Sequence, residues 1–190
     1  MASPTVNLDE RFVPRIDAAG TTLSSTNAEL NVMDGVTATA AEINDAADVS
    51  TRIVTIADAT NTLTAGSAHA NKICYVLDAT LAVTLPEATG TGNKYTFIQG
   101  IAATSSTWVT ADTTNADLSG TILGSDTDVA APYAWTAGAT DDTVTFNGVA
   151  TGGKLGDWIS FLDLATDLWL VEGAISQSGA SEATPFSAAV

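Results

Sequence analysis

Cysteine, histidine and basic side chains are nearly absent from this sequence. The one cysteine, Cys74, rules out an intrachain disulfide and any metal site made of cysteines alone. The one histidine, His69, leaves a single possible centre for a Ser-His-Asp arrangement, and no Gly-x-Ser-x-Gly turn occurs to present a nucleophilic serine. Only six Lys and Arg oppose 22 Asp and Glu, for a net charge of −16. Nucleic-acid affinity depends on neutralising phosphates with cationic side chains, so this balance argues against a nucleic-acid partner. It argues equally against an anionic membrane surface, and no apolar run approaches the ~20 residues needed to span a bilayer. Residues 1–20 hold Asp9, Glu10, Arg11, Pro14 and Arg15 where a secretory leader carries an apolar core, so none is expected. Charged residues are 15% of the chain, against about a quarter in ordinary domains. Ala and Thr make up about a third, so hydroxyls and amides must wet much of the surface.

What is present begins with a motif written twice. Thr26-Asn27-Ala28-Glu29-Leu30-Asn31 recurs thirteen residues later as Thr39-Ala40-Ala41-Glu42-Ile43-Asn44. Each copy puts Thr three residues before Glu, the spacing at which hydroxyl and carboxylate cap each other's backbone N–H at a helix start. Asp34-Gly35 is a stop signal after the first copy. The spacing predicts two very short capped helices. Helices of one or two turns are unstable alone and must pack on a neighbour, which marks this stretch as an attachment or assembly segment. Its apolar positions Leu30, Val32, Met33, Val36, Ile43 and Val49 are the candidate contacts. Ahead of it, residues 1–25 carry Pro4, Pro14, Gly20 and a Ser/Thr cluster, the composition of an extended arm.

From Ile53 the texture changes to short runs of β-branched, aromatic and aliphatic residues. These are Ile53–Ile56, Lys72–Leu77, Ala82–Leu85, Tyr95–Gln99, Trp108–Thr110, Thr143–Phe146, Trp158–Leu162 and Leu168–Val171, separated by Gly-, Asn-, Asp- and Thr-rich breaks. Strands at this density without helical periodicity predict an all-β domain, an antiparallel β-sandwich or barrel-like fold over residues 53–190. An extended N-terminal arm with the two very short helices precedes it over residues 1–52. In Thr143-Val144-Thr145-Phe146 the apolar pair shares one face, as in a half-buried strand. Trp158-Ile159-Ser160-Phe161-Leu162 and Leu168-Trp169-Leu170-Val171 are apolar on both faces and read as a central hairpin. Covering both faces of such strands takes either a second sheet or another subunit.

The candidates for chemistry are few. Cys74, in Ile73-Cys74-Tyr75-Val76-Leu77, reads as a buried small hydrophobe, not a thiol activated by His69 five residues away. Asp126 with Asp128, or Asp141 with Asp142, offers oxygens to calcium but lacks the twelve-residue loop spacing, so solvated acidic loops are expected. Gly152-Gly153-Lys154-Leu155-Gly156 lacks the spacing and the Ser/Thr of a phosphate loop. A glycosidase needs a carboxylate pair across a cleft, and nothing in the sequence nominates one. Trp108, Tyr133, Trp135, Trp158 and Trp169 are the aromatic candidates for stacking on a sugar, with Trp158 and Trp169 expected in the core. Tyr133 and Trp135 follow Pro132 and are flanked by acidic residues, which places them in an exposed excursion suited equally to a contact with another chain or surface and to simple local packing. No catalytic residue, cofactor or metal site is expected.

The doubled element, Ala28-Glu29-Leu30-Asn31-Val32-Met33-Asp34-Gly35-Val36-Thr37 followed by Thr39-Ala40-Ala41-Glu42-Ile43-Asn44, resembles a repeat of tailed-bacteriophage structural proteins, where it precedes a β-rich module. Val83-Thr84-Leu85-Pro86, Tyr95-Thr96-Phe97-Ile98, Gly152 to Trp158, Trp169 to Gly173 and Ala183 to Ser187 are similar to such a module. The resemblance implies a non-enzymatic virion protein. It would be a homotrimer that decorates and cements the outer capsid surface, binds the major capsid protein, with other virion proteins as further candidate partners, and is synthesised in the host cytoplasm. A short fibre or a head- or tail-fibre adaptor concerned with host recognition is the alternative, and the brevity of the chain favours decoration.

Overall fold

The computed structural model describes residues 37–47, 52–57, 62–66, 68–110, 117–129 and 131–188. The chain divides into two units, residues 1–47 and 48–190. In the first, one helix is described, α1 (Ala40–Ala47). Thr39 caps it as the spacing predicts: the Glu42 amide donates to Thr39 Oγ1 at 3.3 Å, while the Thr39 amide and hydroxyl both donate to Glu42 Oε2 at 2.7 Å. The Thr39 amide, then its hydroxyl, hold the Glu42 carboxyl below its ordinary range. The first copy of the motif, with Leu30, Val32, Met33 and Val36, lies outside the described residues, as does Val49.

The second unit is an all-β sandwich of two sheets. Its strands are β1 (Ile53–Ile56), β2 (Thr62–Thr64), β3 (Lys72–Val76), β4 (Ala82–Thr84), β5 (Lys94–Gln99) and β6 (Ser106–Val109), then β7 (Asp117–Asp126), β8 (Pro132–Thr136), β9 (Thr143–Phe146), β10 (Trp158–Ala165), β11 (Leu168–Gln177) and β12 (Phe186–Ser187). One sheet has seven strands in the order β1-β3-β5-β10-β11-β7-β8, the other five in the order β12-β9-β6-β4-β2.

Strand sense divides this unit in two. Over residues 53–109 the chain alternates between sheets, so that β1, β3 and β5 stack in parallel in one layer and β2, β4 and β6 in the other. Each circuit takes about 20 residues, the short end of the solenoid-repeat range. The later part closes the sandwich mostly with antiparallel pairs, around a central β10–β11 hairpin whose turn residue Asp167 has φ 59°. The sandwich matches expectation, but half of its pairings are parallel: four arise because sequence-adjacent strands among β1 to β6 lie in opposite layers and meet their next-but-one neighbours, and the fifth joins β7 to β11.

Tyr95, Phe97, Ile159, Phe161, Trp169 and Val171 point inward from the seven-stranded sheet, and Val83, Trp108, Val144 and Phe146 from the other. The layers join where Phe97 of β5 meets Trp108 of β6 with ring centres 5.7 Å apart, and within the five-stranded sheet Trp108 packs edge-on against Phe146 at 4.9 Å. β7, a strand that its Asp, Ser and Gly content disguises, runs parallel beside β11. It fits there because Gly120, at φ 137°, lets the backbones approach: a Cβ would lie 2.0 Å from the Val171 carbonyl oxygen.

One polar pin secures the β4–β5 connection. Asp163, buried at the end of β10, accepts the amides of Thr89, Gly90 and Thr91 at 2.7–3.0 Å and the Thr91 hydroxyl at 2.6 Å. Burial by itself would raise its carboxyl, but these hydrogen bonds outweigh it and hold the group below its ordinary range.

Candidate interaction surfaces

The residues that sequence reasoning put forward for chemistry are occupied by structure. Cys74 is fully buried on the inner face of β3, and desolvation, only partly offset by the Lys72 charge, pushes its thiol up to about 11. A thiol so placed is a poor nucleophile at neutral pH. His69 lies half-buried in the 68–71 turn, where Nδ1 accepts the Gly66 amide at 3.3 Å, and burial followed by the Lys72 charge lowers its pKa.

The acidic pairs expected as solvated loops are instead turn-builders, and Asp126 and Asp142 are buried. Asp126 Oδ1 accepts the amides of Asp128 and Val129, and Asp128 Oδ2 accepts the Gly179 amide. Asp141 accepts the Gly138 amide, and Asp142 the Thr143 hydroxyl. The glycine turn at 152–156 is likewise spoken for, since Asp157 accepts the amides of Gly153, Lys154 and Ser176 at 2.8–3.0 Å. Among the described residues no three His, Cys, Asp or Glu side chains gather as a metal-binding group, and no helix is long and apolar enough to cross a membrane.

The aromatics separate into three classes. Trp108 and Trp169 are fully buried and cannot meet a sugar. Trp158, expected in the core, is instead half-covered on the outer face of β10, because Ile159 and Phe161 take the inward positions. Tyr133 and Trp135 are brought together on β8, an edge strand, with ring centres 5.8 Å apart and planes within 9°. Trp135 Nε1 donates at 2.8 Å to Oε1 of Gln177, whose buried amide in turn donates to the Ala150 and Ala183 carbonyls. Gly124 makes room for this link, since a Cβ there would lie 2.5 Å from Gln177 Oε1. Tyr133 donates at 3.3 Å to Glu182 Oε2. Its phenol is raised in pKa by desolvation first, then by the Glu182 charge and hydrogen bond and by Asp126. The pair is therefore a half-exposed stack fastened to the interior. Of the helix candidates, Ile43 is the described one, partly covered on α1 between exposed neighbours.

The largest unassigned feature is one that no single residue announces: the outer face of the seven-stranded sheet. Register aligns Tyr75, Ile98, Trp158, Ala174, Leu123 and Ala134 in one row across six strands. Leu123 is 60% exposed, Tyr75 38% and Ile98 half-covered. The next row runs Ile53, Ile73, Thr96, Ser160, Glu172, Thr121 and Thr136, with Ile53 62% exposed at its apolar end and polar side chains over the rest. Charge enters these central rows as one neutralised pair, Lys94 to Glu172 at 2.5 Å, reaching across β10. Beneath it Ser160 is fully buried and hydrogen-bonded to Thr96 at 3.1 Å. Parallel sheets are normally covered on both faces, and the parallel β1-β3-β5 ladder contributes much of this apolar surface. The signal was legible in part, because the β10 and β11 segments read as apolar on both sides. Its extension onto β3, β5 and β7 needed the register.

Comparison with known protein families, with characterised proteins and with solved structures finds no match to this chain.

Proposed function

We propose that this chain is a structural protein of a tailed-bacteriophage particle, a decoration protein that binds the major capsid protein and stabilises the outer shell as a homotrimer. The observation that carries the reading is the charge-neutral outer face of the seven-stranded sheet, with its apolar row from Tyr75 to Ala134, on a chain of net charge −16. Such a face suits permanent burial in an assembly, whereas the polar side chains that chemistry would need are engaged in turns and pins. The capped helix α1 adds support, because it is the second copy of the element on which the resemblance rests. Division of labour follows: residues 1–52 attach, and the sandwich projects and self-assembles. An interface shared in this way stabilises the shell by mass action, while the acidic remainder keeps particles apart.

The test is the copy number of this chain relative to the major capsid protein in purified virions, by quantitative mass spectrometry. A ratio near unity is expected, and absence from the particle overturns the reading. Deletion of residues 1–52 is expected to abolish attachment while leaving a folded β unit. A second reading, a fibre or adaptor that recognises a host saccharide, is favoured by the half-exposed Tyr133–Trp135 stack beside the Glu182 carboxylate. It requires a ratio of a few per cent and a loss of saccharide binding in Trp135→Ala.

A further inference from the structure

We infer that the outer face of the seven-stranded sheet is the surface through which copies of this chain meet, with the row Tyr75, Ile98, Trp158, Ala174, Leu123 and Ala134 at its centre. The inference rests on the assembly reading above and names the partner of that surface: a second copy of this chain.

Charge selects the partner. Two chains of net charge −16 repel at close range wherever unpaired carboxylates face each other. The central rows of this face expose no unpaired charge, because Lys94 and Glu172 neutralise one another within it. A cationic partner would gain nothing on this face and would be drawn to the acidic remainder. A second acidic copy is the partner for which a neutral apolar face is the low-energy approach.

Area and shape agree. Seven strands spaced by ~4.8 Å span about 29 Å, and five residues along a strand about 17 Å, a flat footprint of roughly 500 Å² before side-chain relief. Relief brings the accessible area toward the ~800 Å² that each partner gives to a standard stable interface. Sheet faces of this kind pack at about 10 Å with apolar rows interdigitated, as the two layers of this sandwich already do. Tyr75 is laid flat for such packing: its ring occupies the space over Gly100, where a Cβ would lie 2.4 Å from Tyr75 Cζ.

The experiment is sedimentation equilibrium of the full chain across the micromolar range, for the wild type, Leu123→Asp, Ala134→Lys and the control Val129→Asp. Val129 is 70% exposed but lies in the 127–129 turn, off this face. The wild type and the control are expected at a mass of three 19.3 kDa chains, and the two face variants at one, with unchanged far-ultraviolet circular dichroism; a wild type at two chains that the face variants split keeps this surface and refutes the homotrimer. Ala134→Lys, at an exposed edge-strand position, carries the test should Leu123→Asp not fold. A monomeric wild type overturns the inference and leaves the face to another occupant, such as the capsid or the chain's own residues 1–36. An assembly that survives both face variants overturns it as well. A monomer that is still found at high copy in virions refutes the partner alone, whereas a chain absent from virions refutes the assembly reading.

Discussion

Phe97 and Ile98 are neighbours on β5 that point to opposite sides of the same sheet. Phe97 is fully buried among Trp108 and Phe161, while Ile98 stands half-covered in a row with Tyr75 and Trp158. The inner face is closed by the five-stranded sheet, and the outer face, where an apolar row lies beside a row that is half hydroxyl-bearing and holds the Lys94–Glu172 pair, has no described layer upon it. A sheet whose function ended with folding would carry polar residues outside. The contrast separates residues that hold the chain together from residues that hold the chain to something else.

Variants should separate the two faces, and the largest effect is expected inside. Phe97→Ala removes a buried ring at the junction of the two sheets and should cost about 3–5 kcal/mol, read as a loss of denaturation midpoint at unchanged slope. A cost below about 1 kcal/mol would mean that the sheets are not packed as described.

Next comes the pin that ties the β4–β5 connection to the inner layer. Asp163→Asn presents an amide donor to backbone donors and should cost about 1–3 kcal/mol. Since the native carboxyl is held below its unfolded value, its contribution is present above about pH 4 and is lost as pH falls through the native pKa. The acid limb of a stability–pH profile should therefore flatten in the variant. An unaltered acid limb would remove the pin from the account.

The thiol of Cys74 reports on the inner face in the opposite pH direction. With its pKa pushed up to about 11, the stability it contributes is whole below the ordinary thiol range and is lost as pH climbs toward 11. At pH 8 it should resist a disulfide reagent in the native protein and react at once in denaturant. Smallest of all is the expected effect of Leu123→Asp on the stability of the folded chain, within about 0.5 kcal/mol, although it should dissolve the assembly.

Legibility in the sequence follows the same division. Strands with compact β-branched and aromatic runs, such as Ile53–Ile56 and Thr143–Phe146, fall where pattern places them, and the capping spacing at Thr39 and Glu42 forms the expected bonds. β7 escaped because Asp117-Leu118-Ser119-Gly120 and Gly124-Ser125-Asp126 have the composition of turns, and close backbone approach to β11 is what demands the glycine at 120. β8 escaped because Pro132 opens it, which an edge strand tolerates. β2, three residues long, and β12, two residues long, carry too little pattern to read. The alternation of β1 to β6 between layers was also hidden, since a short apolar run does not declare which sheet it joins. Of the candidate surfaces, the Tyr133–Trp135 pair was found by composition, whereas the outer row emerges only when residues from six strands are brought into register.

The central claim, that one sheet has one face for folding and one for assembly, is tested most directly by hydroxyl-radical footprinting of the full chain at high and low concentration. Trp108 and Phe97 should stay protected at both, while Tyr75, Trp158 and Leu123 should be protected at high concentration and oxidised on dilution. Oxidation of Tyr75, Trp158 and Leu123 at every concentration would contradict the account.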